Sequence, residues 1–176
     1  QLRDGCAQAF VSAGNTGGLV MLAAHLVGIR AGVTRPVLCT AVPTTAGTTW
    51  LLDLGGVLAP DAQRLVEYAQ LGAEQAGRVL GRPVSVALLN IGQEDSKGLP
   101  EVKEAAQQLK VCSEFNYLGF VEPAGLFAGA ADVVVCGGLV GNMVLKSAEA
   151  AAATVLNLVR REFSAVRGAV VRGRVG

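Results

Sequence analysis

Apolar positions along this chain fall in short runs that end on glycine, and their spacing alternates between strand-like and helix-like. Ala9-Phe10-Val11 is a strand-like lead into Ser12-Ala13-Gly14-Asn15-Thr16-Gly17, after which a helical pattern runs from about Gly18 to Ile29. Pro36 to Val42 and Thr48 to Leu52 read as strands joined through Pro43-Thr44-Thr45-Ala46-Gly47 as a hairpin. Pro60-Asp61 opens a helix to about Leu80, with Leu65, Ala69, Leu71 and Ala76 broadly on one face and Gly81 as its stop. Val84 to Leu89 is continuously apolar, as in a strand covered on both faces. A polar loop from Asn90 to Gly98 leads to a helix from about Pro100 to Lys110. Phe115 to Val121 is a strand, Leu126-Phe127 a single helical turn, and Val133 to Cys136 a short buried strand ending in Gly137-Gly138. Asn142 to Phe163 is the longest helix, and the remaining residues, with Arg167, Arg172 and Arg174, read as a loose basic tail over 164–176. Strands alternating with helices predict one α/β domain over residues 1–163, three-layer α/β/α and Rossmann-like, around a mainly parallel sheet.

Composition sharpens this picture. At 176 residues the chain is long enough for one domain with its own core. Hydrophobic residues are 51% and charged residues 16%, well under the roughly 25% charge of an average soluble domain. That excludes intrinsic disorder and implies that much surface is buried against something. Lys+Arg is 15 and Asp+Glu is 14, so no global basic field exists to hold nucleic acid. Residues 5–29 carry no charge, but Gln8, Ser12, Asn15, Thr16 and His25 interrupt them. The most apolar part, Gly17 to Ile29, is too short to span a bilayer and reads as part of a buried strand and helix. Cys6, Cys39, Cys112 and Cys136 form no C-x-x-C pair, so no zinc site or dithiol is signalled. Reduced thiols in a cytoplasmic protein are expected.

In open α/β sheets ligands sit beyond the carboxyl ends of the strands. The loops expected there are Ser12 to Gly17, Asp53-Leu54-Gly55, Asn90 to Gly98, Glu122 and Gly137 to Asn142. Each combines small residues with one or two polar side chains, and three run directly into helices, whose free N–H groups favour an anion such as phosphate. Each feature also has a structural reading. Gly14, Gly17, Gly55 and Gly141 can serve tight turns, Asn15 and Asn142 can be N-caps, Ser12 can form a local turn, and Glu94-Asp95 can be a solvated acidic loop. Lys97 stands out because it lies in a Gly-bounded loop and not on a helix face. His25 reads as a satisfied or half-buried histidine on an apolar helix, and Trp50 as core. No G-x-S-x-G elbow, Walker A sequence, G-x-G-x-x-G or metal-ligand spacing occurs. The residues alone therefore lead to an α/β domain with an anion-binding cleft, without metal or cofactor.

Ala9-Phe-Val-Ser-Ala-Gly-Asn-Thr-Gly17, Leu51-Leu-Asp-Leu-Gly55, Val86-Ala-Leu-Leu-Asn-Ile-Gly92 with Glu94 and Lys97-Gly98, and Ala131-Asp-Val-Val-Val-Cys136 with Val140-Gly-Asn142 and Val144-Leu-Lys146 occur in this order. Together they resemble the phosphate acyltransferase family of bacterial phospholipid synthesis (PlsX), over about residues 4 to 163. The resemblance implies a fold like that of phosphate acetyltransferases and isocitrate dehydrogenase. It implies transfer of a fatty acyl group from acyl carrier protein to inorganic phosphate. It also implies a homodimer associated peripherally with the membrane.

Phosphate would itself be the nucleophile, so no Ser or Cys nucleophile is required. In that scheme Ser12, Asn15, Thr16 and the 14–17 backbone, Gly14 and Gly17 included, hold phosphate or the oxyanion. Lys97 neutralises phosphate charge or protonates the departing thiolate. Asn142 and the backbone of Gly138 to Gly141 complete the donors, and Asp53, Asn90 and Glu94 orient them. Gly98 and Lys146 belong to the matching substrate-binding motifs. The chain departs from the family pattern at Gly137, where the family has an aspartate, at Val57, where it has an asparagine, and at Pro123-Ala124-Gly125, where it has Gly-Arg-Asp. Its opening strands are also missing. These departures keep open an alternative: a non-catalytic relative that only dimerises or binds acyl carrier protein.

Overall fold

The computed structural model describes residues 2–30 and 32–172. The element order is α1 (Thr16–Leu26), β1 (Cys39–Thr44), β2 (Gly47–Leu52), α2 (Ala62–Leu80), β3 (Ser85–Leu89), α3 (Pro100–Leu109), β4 (Asn116–Val121), α4 (Pro123–Ala128), β5 (Val133–Val135) and α5 (Gly138–Arg172). The five strands form one sheet in the order β1-β2-β5-β3-β4. β1 and β2 are the expected antiparallel hairpin, with Thr44 opposite Gly47, and Pro43 sits on the edge strand, where a missing N–H costs least. β2, β5, β3 and β4 are mutually parallel, as the α/β alternation predicted.

Local signals account for the helix that covers the sheet. The Asp61 carboxylate accepts the Arg64 N–H at 2.9 Å and starts α2; Gly81, at φ 65°, takes the left-handed conformation that ends it. The face carrying Leu65, Tyr68, Ala69, Gly72, Ala73 and Ala76 is buried. It packs with Ala105, Ala106 and Leu109 of α3 on Leu52, Val86, Leu88, Val133 and Val135 of the sheet. Strand alternation sends Leu51, Ala87 and Val134 to the opposite face, and these are buried too. α4 packs against β1 and β4 and buries Leu126. The three valines of central β5 are completely buried, each contributing about 1.5–3 kcal/mol by removal from water. Trp50, expected in the core, is only half-buried and packs against it.

At the amino ends of the parallel strands one carboxylate ties β3 to β5. Asp132 accepts from both Arg82 Nη atoms, at 3.0 and 2.6 Å, and from the Ser85 N–H and hydroxyl, at 2.8 and 2.9 Å. The Arg82 hydrogen bonds hold its pKa down at about 2.

Two expectations are corrected. Ala9-Phe10-Val11 joins no strand, and α1 buries none of its residues, although the stretch reads as a buried strand and helix. Its apolar residues lie all round the helix, a pattern that signals burial without naming a partner face. α5 begins at Gly138 and not at Asn142, and runs past Phe163 to Arg172. It can begin on glycines because the Gly138 and Leu139 N–H groups are capped by the Val57 and Leu58 carbonyls, at 2.9 and 3.3 Å. Arg167 and Arg172, read as tail, lie within this helix; Arg174 falls outside the described residues. By contacts the chain divides into two compact units, one ending at Asn142 and the other beginning at Met143. In the second unit Lys146 pairs with Glu149 at 2.8 Å, and Val155, Leu156, Leu158, Val159 and Phe163 are exposed. By length and composition alone, Gly138–Phe163 is long and apolar enough to cross a membrane.

Two glycines of α2 should respond oppositely to the same change. A Cβ at Gly72 would lie 2.7 Å from Val133 Cγ1 and 2.9 Å from Leu52 Cδ1, whereas one at Gly77 would make ordinary contact at 3.6 Å with the Arg82 carbonyl. In urea unfolding, Gly72→Ala is expected to destabilise by about 1–3 kcal/mol, and Gly77→Ala to stabilise by up to about 1 kcal/mol. The Asp132 clamp predicts a pH signature. Its folded pKa is depressed, so its stabilisation is full above the unfolded value near 4 and is lost as pH falls towards about 2. Half-exposed Arg82 leaves the pair partly screened, so Asp132→Asn should cost on the order of 1 kcal/mol at pH 6. That deficit relative to the parent should shrink towards zero at pH 2.

Candidate functional site

Because β2, β5, β3 and β4 run parallel, the loops that follow them leave the sheet at one end. The strand order sets Asp53 after β2 beside Cys136-Gly137-Gly138 after β5, with Asn90 after β3 next and Glu122 after β4 at the edge. Four of the five loops expected at a carboxyl rim are therefore there.

The first cluster is built on Asp53, which is fully buried. Its Oδ1 accepts the N–H groups of Leu38, Leu54 and Gly56 at 3.1, 2.6 and 3.0 Å, and its Oδ2 that of Val57 at 2.7 Å. The carboxylate is spent on its own loop and on the chain entering β1, not on orienting ligand donors. The folded loop in turn presents the Val57 and Leu58 carbonyls to the first N–H groups of α5, while the Gly141 N–H bonds the Gly137 carbonyl at 2.9 Å. Of the Gly138–Gly141 backbone expected to offer free donors, three N–H groups are thus engaged within the protein. Gly141 is required by close approach: a Cβ there would run into the Asp53 carbonyl oxygen and the Cys136 sulfur. Cys136 is buried with its thiol 3.7 Å from that carbonyl, and desolvation pushes its pKa up to about 12, so it is inert as a nucleophile. Asn142, one residue on, is exposed.

The second cluster is the loop after β3. Asn90 is buried and its amide donates to the Lys97 carbonyl at 3.1 Å, with Gly98 packed against that amide. Lys97 Nζ lies 3.0 Å from Glu94 Oε1, with both side chains half exposed or more. Lys97 holds the Glu94 carboxyl below the usual carboxylate range. Asp95 pairs instead with Lys110 beyond the end of α3, at 3.0 Å.

The third group does not join these two through the hydrogen bonds of the described residues. Ser12, Gly14, Asn15, Thr16 and Gly17 are all exposed. Ser12 Oγ accepts the Gly14 N–H and Asn15 Oδ1 the Gly18 N–H, both at 3.0 Å, so Asn15 is the N-cap of α1. Lys146 lies in the second unit. His25 is exposed in the last turn of α1, where a satisfied or half-buried histidine was expected, because α1 buries none of its residues. Among the described residues no His, Cys, Asp and Glu side chains cluster as metal ligands. A cavity of about 700 Å³ lies at the opposite end of the strands, between Arg30 and Val33 on one side and Glu67, Glu74, Arg82 and Phe115 on the other; no expected site residue lines it.

Sequence reasoning missed the apolar side chains of the rim. Leu58, Ile91, Leu99, Leu139 and Val140 are all exposed. Three of them, Ile91, Leu139 and Val140, lie in loops read only for their polar and small residues, and Leu58 and Leu99 lie just beyond such loops.

The chain is similar to known proteins. The family described as "Fatty acid synthesis protein" matches residues 1–171. The phosphate acyltransferase of Pseudomonas paraeruginosa is 46% identical over 162 residues, covering 92% of this chain and 48% of that protein. That of Alcanivorax borkumensis is 45% identical over 163 residues, again 92% of this chain and 48% of the relative. The chain thus spans about half the length of the curated relatives it matches. In fold it is similar to the EutD phosphotransacetylase of Staphylococcus aureus, with TM-score 0.59 and 21% identity over 80% of this chain and 49% of the other.

The geometry around Asp53 makes a stability prediction. Asp53→Asn replaces one acceptor oxygen by a donor facing an N–H, and is expected to cost about 2 kcal/mol or more in urea unfolding. Faster limited proteolysis within residues 54–58 should accompany it.

Proposed function

This chain belongs to the fatty acid synthesis protein family, and we propose on that footing that it serves transfer of a fatty acyl group from acyl carrier protein to inorganic phosphate. Relatives named phosphate acyltransferase, at 45–46% identity, support the reaction class. The observation that carries the reading is the rim itself: parallel strands deliver the Asn90–Gly98 and Gly137–Asn142 loops to one end of the sheet, with the Lys97 ammonium half exposed there.

The chemistry asks little of such a site beyond placement and charge. A phosphate oxygen attacks the thioester carbonyl, a C–O bond forms, and the tetrahedral oxyanion collapses with cleavage of the C–S bond. The thiolate leaves and takes up a proton. Lys97 offsets phosphate charge during the approach and can supply that proton. Asn90 fixes the loop backbone at the Lys97 carbonyl, and Glu94 keeps the ammonium in place until phosphate competes for it. In this reading Ser12, Asn15, Thr16 and Asn142 add uncharged donors to the phosphate. A homodimer and peripheral membrane association in the cytoplasm are part of the same proposal.

A second reading, a non-catalytic relative that binds acyl carrier protein or a second copy, is favoured by the engaged Gly138, Leu139 and Gly141 amides and by glycine at position 137. Replacing that glycine by aspartate would meet Pro60 Cδ, 2.9 Å from the Cβ position, and the Leu58 carbonyl, at 3.3 Å, so the rim must open to admit it.

Acyl-phosphate formation from long-chain acyl carrier protein and phosphate separates the two readings. The parent chain is expected to turn over, and Lys97→Ala to lower the rate by on the order of 100-fold or more. Near-normal turnover in Lys97→Ala removes Lys97 from the mechanism. No turnover by the parent favours the binding reading.

A further inference from the structure

The loop that carries Lys97 is held at more points than a connection between a strand and a helix needs. Asp95 Oδ2 lies 3.0 Å from Lys110 Nζ, and Lys103 Nζ donates to the Ser96 carbonyl at 3.5 Å. Lys103 and Lys110 are seven residues apart, about two helical turns, and so share one face of α3. Asp95 precedes the first residue of α3 yet meets the residue that caps its far end, so the loop turns back along the helix before the chain enters it. At the base of the loop Gly92 is buried, although Ile91 and Gln93 on either side are exposed. A Cβ there would lie 2.6 Å from Glu94 Oε2 and 2.7 Å from Lys97 Cδ, so the Glu94–Lys97 ion pair rests directly on Gly92. The Lys97 N–H donates to the Glu94 carbonyl at 3.0 Å, and the Asn90 amide holds the Lys97 carbonyl.

We propose that Gly92, Asp95, Lys103 and Lys110 are positioning residues for Lys97: Gly92 is the seat of its side chain, and the two lysines of α3 clasp its loop. The inference rests on the acyl-transfer reading, in which phosphate takes the place of Glu94 at the Lys97 ammonium. It adds what keeps that ammonium in place afterwards. Once phosphate displaces Glu94, the ion pair inside the loop is gone, and the loop depends on Asn90, its own backbone bond and the clasp from α3. A loop ordered in only a fraction of the molecules lowers the apparent affinity for phosphate by that fraction. The Asp95–Lys110 pair is exposed, so it contributes little to global stability and its effect is felt within the loop. Charge alone predicts the opposite at one residue. Asp95 is a carboxylate in the loop that meets the anion, and by its field its removal would tighten phosphate binding. The clasp requires that its removal weaken it.

The test follows acyl-phosphate formation from long-chain acyl carrier protein as phosphate is varied, together with hydrogen exchange of the amides of residues 93–98 in the same proteins. Asp95→Ala and Lys110→Met should each raise KM for phosphate about twofold to fivefold, leave kcat nearly unchanged and speed exchange of the Lys97 amide. The double variant should be no worse than either single one, because both remove the same contact. Lys110→Arg should restore the parent KM, and Lys103→Met, at the longer contact, should raise KM less. Arg78→Met removes a cation from the exposed pair with Glu74 in the last turn of α2 and should leave KM as it is. Gly92→Ala should lower kcat by on the order of 10-fold or more. Its urea stability should stay close to the parent's, because the displaced atoms are the ends of flexible side chains. Tighter phosphate binding in Asp95→Ala, or additive effects in the double variant, overturns the clasp and leaves a charge effect alone. Unchanged amide exchange overturns it too, whether or not the chain turns over. A parent-like kcat in Gly92→Ala overturns the seat. Absence of turnover by the parent removes the acyl-transfer reading itself and the positioning role with it.

Discussion

A buried carboxylate organises the end of this molecule at which its loops converge. Asp53 stands where β2 ends, inside the protein, and its charge is tolerable there because four backbone N–H groups converge on it. Those bonds fold residues 54–57 into a tight loop and draw Leu38 alongside. The loop then offers two carbonyls to the first amides of α5, and the helix can begin on glycine. The close seat of Gly141 on the Asp53 carbonyl completes the joint. Without the carboxylate, four donors would need new partners and α5 would lose its cap.

That joint changes what the rim can do chemically. Amides at a helix start are ordinarily free to meet an anion, but here the first ones serve the fold. Positive charge at the rim comes instead from side chains: Lys97, whose loop is braced by Asn90 and whose ammonium is steadied by Glu94, together with Lys103 at the Ser96 carbonyl and Lys110 on Asp95 of the same loop. Structural and chemical duties are therefore separated along the sheet edge. The β2–β5 side is a rigid knot, and the β3 side carries the exposed charge.

Much of the architecture was legible from residues. α2 is bracketed by Asp61 and Gly81 as its sequence announces, because capping is a local matter of one side chain and one left-handed residue. The continuous apolar runs became parallel strands, since only a sheet covered on both faces buries every position. The Asn90–Gly98 loop holds the polar contacts its composition suggested. Less was legible in the roles of Asp53 and the glycines. Asp53 looked like a ligand-orienting carboxylate, and nothing local reveals that Leu38, fifteen residues earlier, would return to share it. Gly138 looked like a loop residue because glycine disfavours helix, and the cap that overrides this comes from β2.

The amino acids by themselves determined the order of elements from β1 onward, the mainly parallel α/β class and the family, because periodicity, caps and motif order are written along the chain. They also determined that this is an apolar protein whose surface must meet something. Tertiary structure alone decided which donors remain free, that Asp53 faces inward, and that the Ser12–Gly17 segment stays exposed with only local bonds. The reason is physical: a hydrogen-bond donor or an apolar side chain has no fixed use until its neighbours in space are known, and those neighbours are supplied by strand order, which no local pattern encodes.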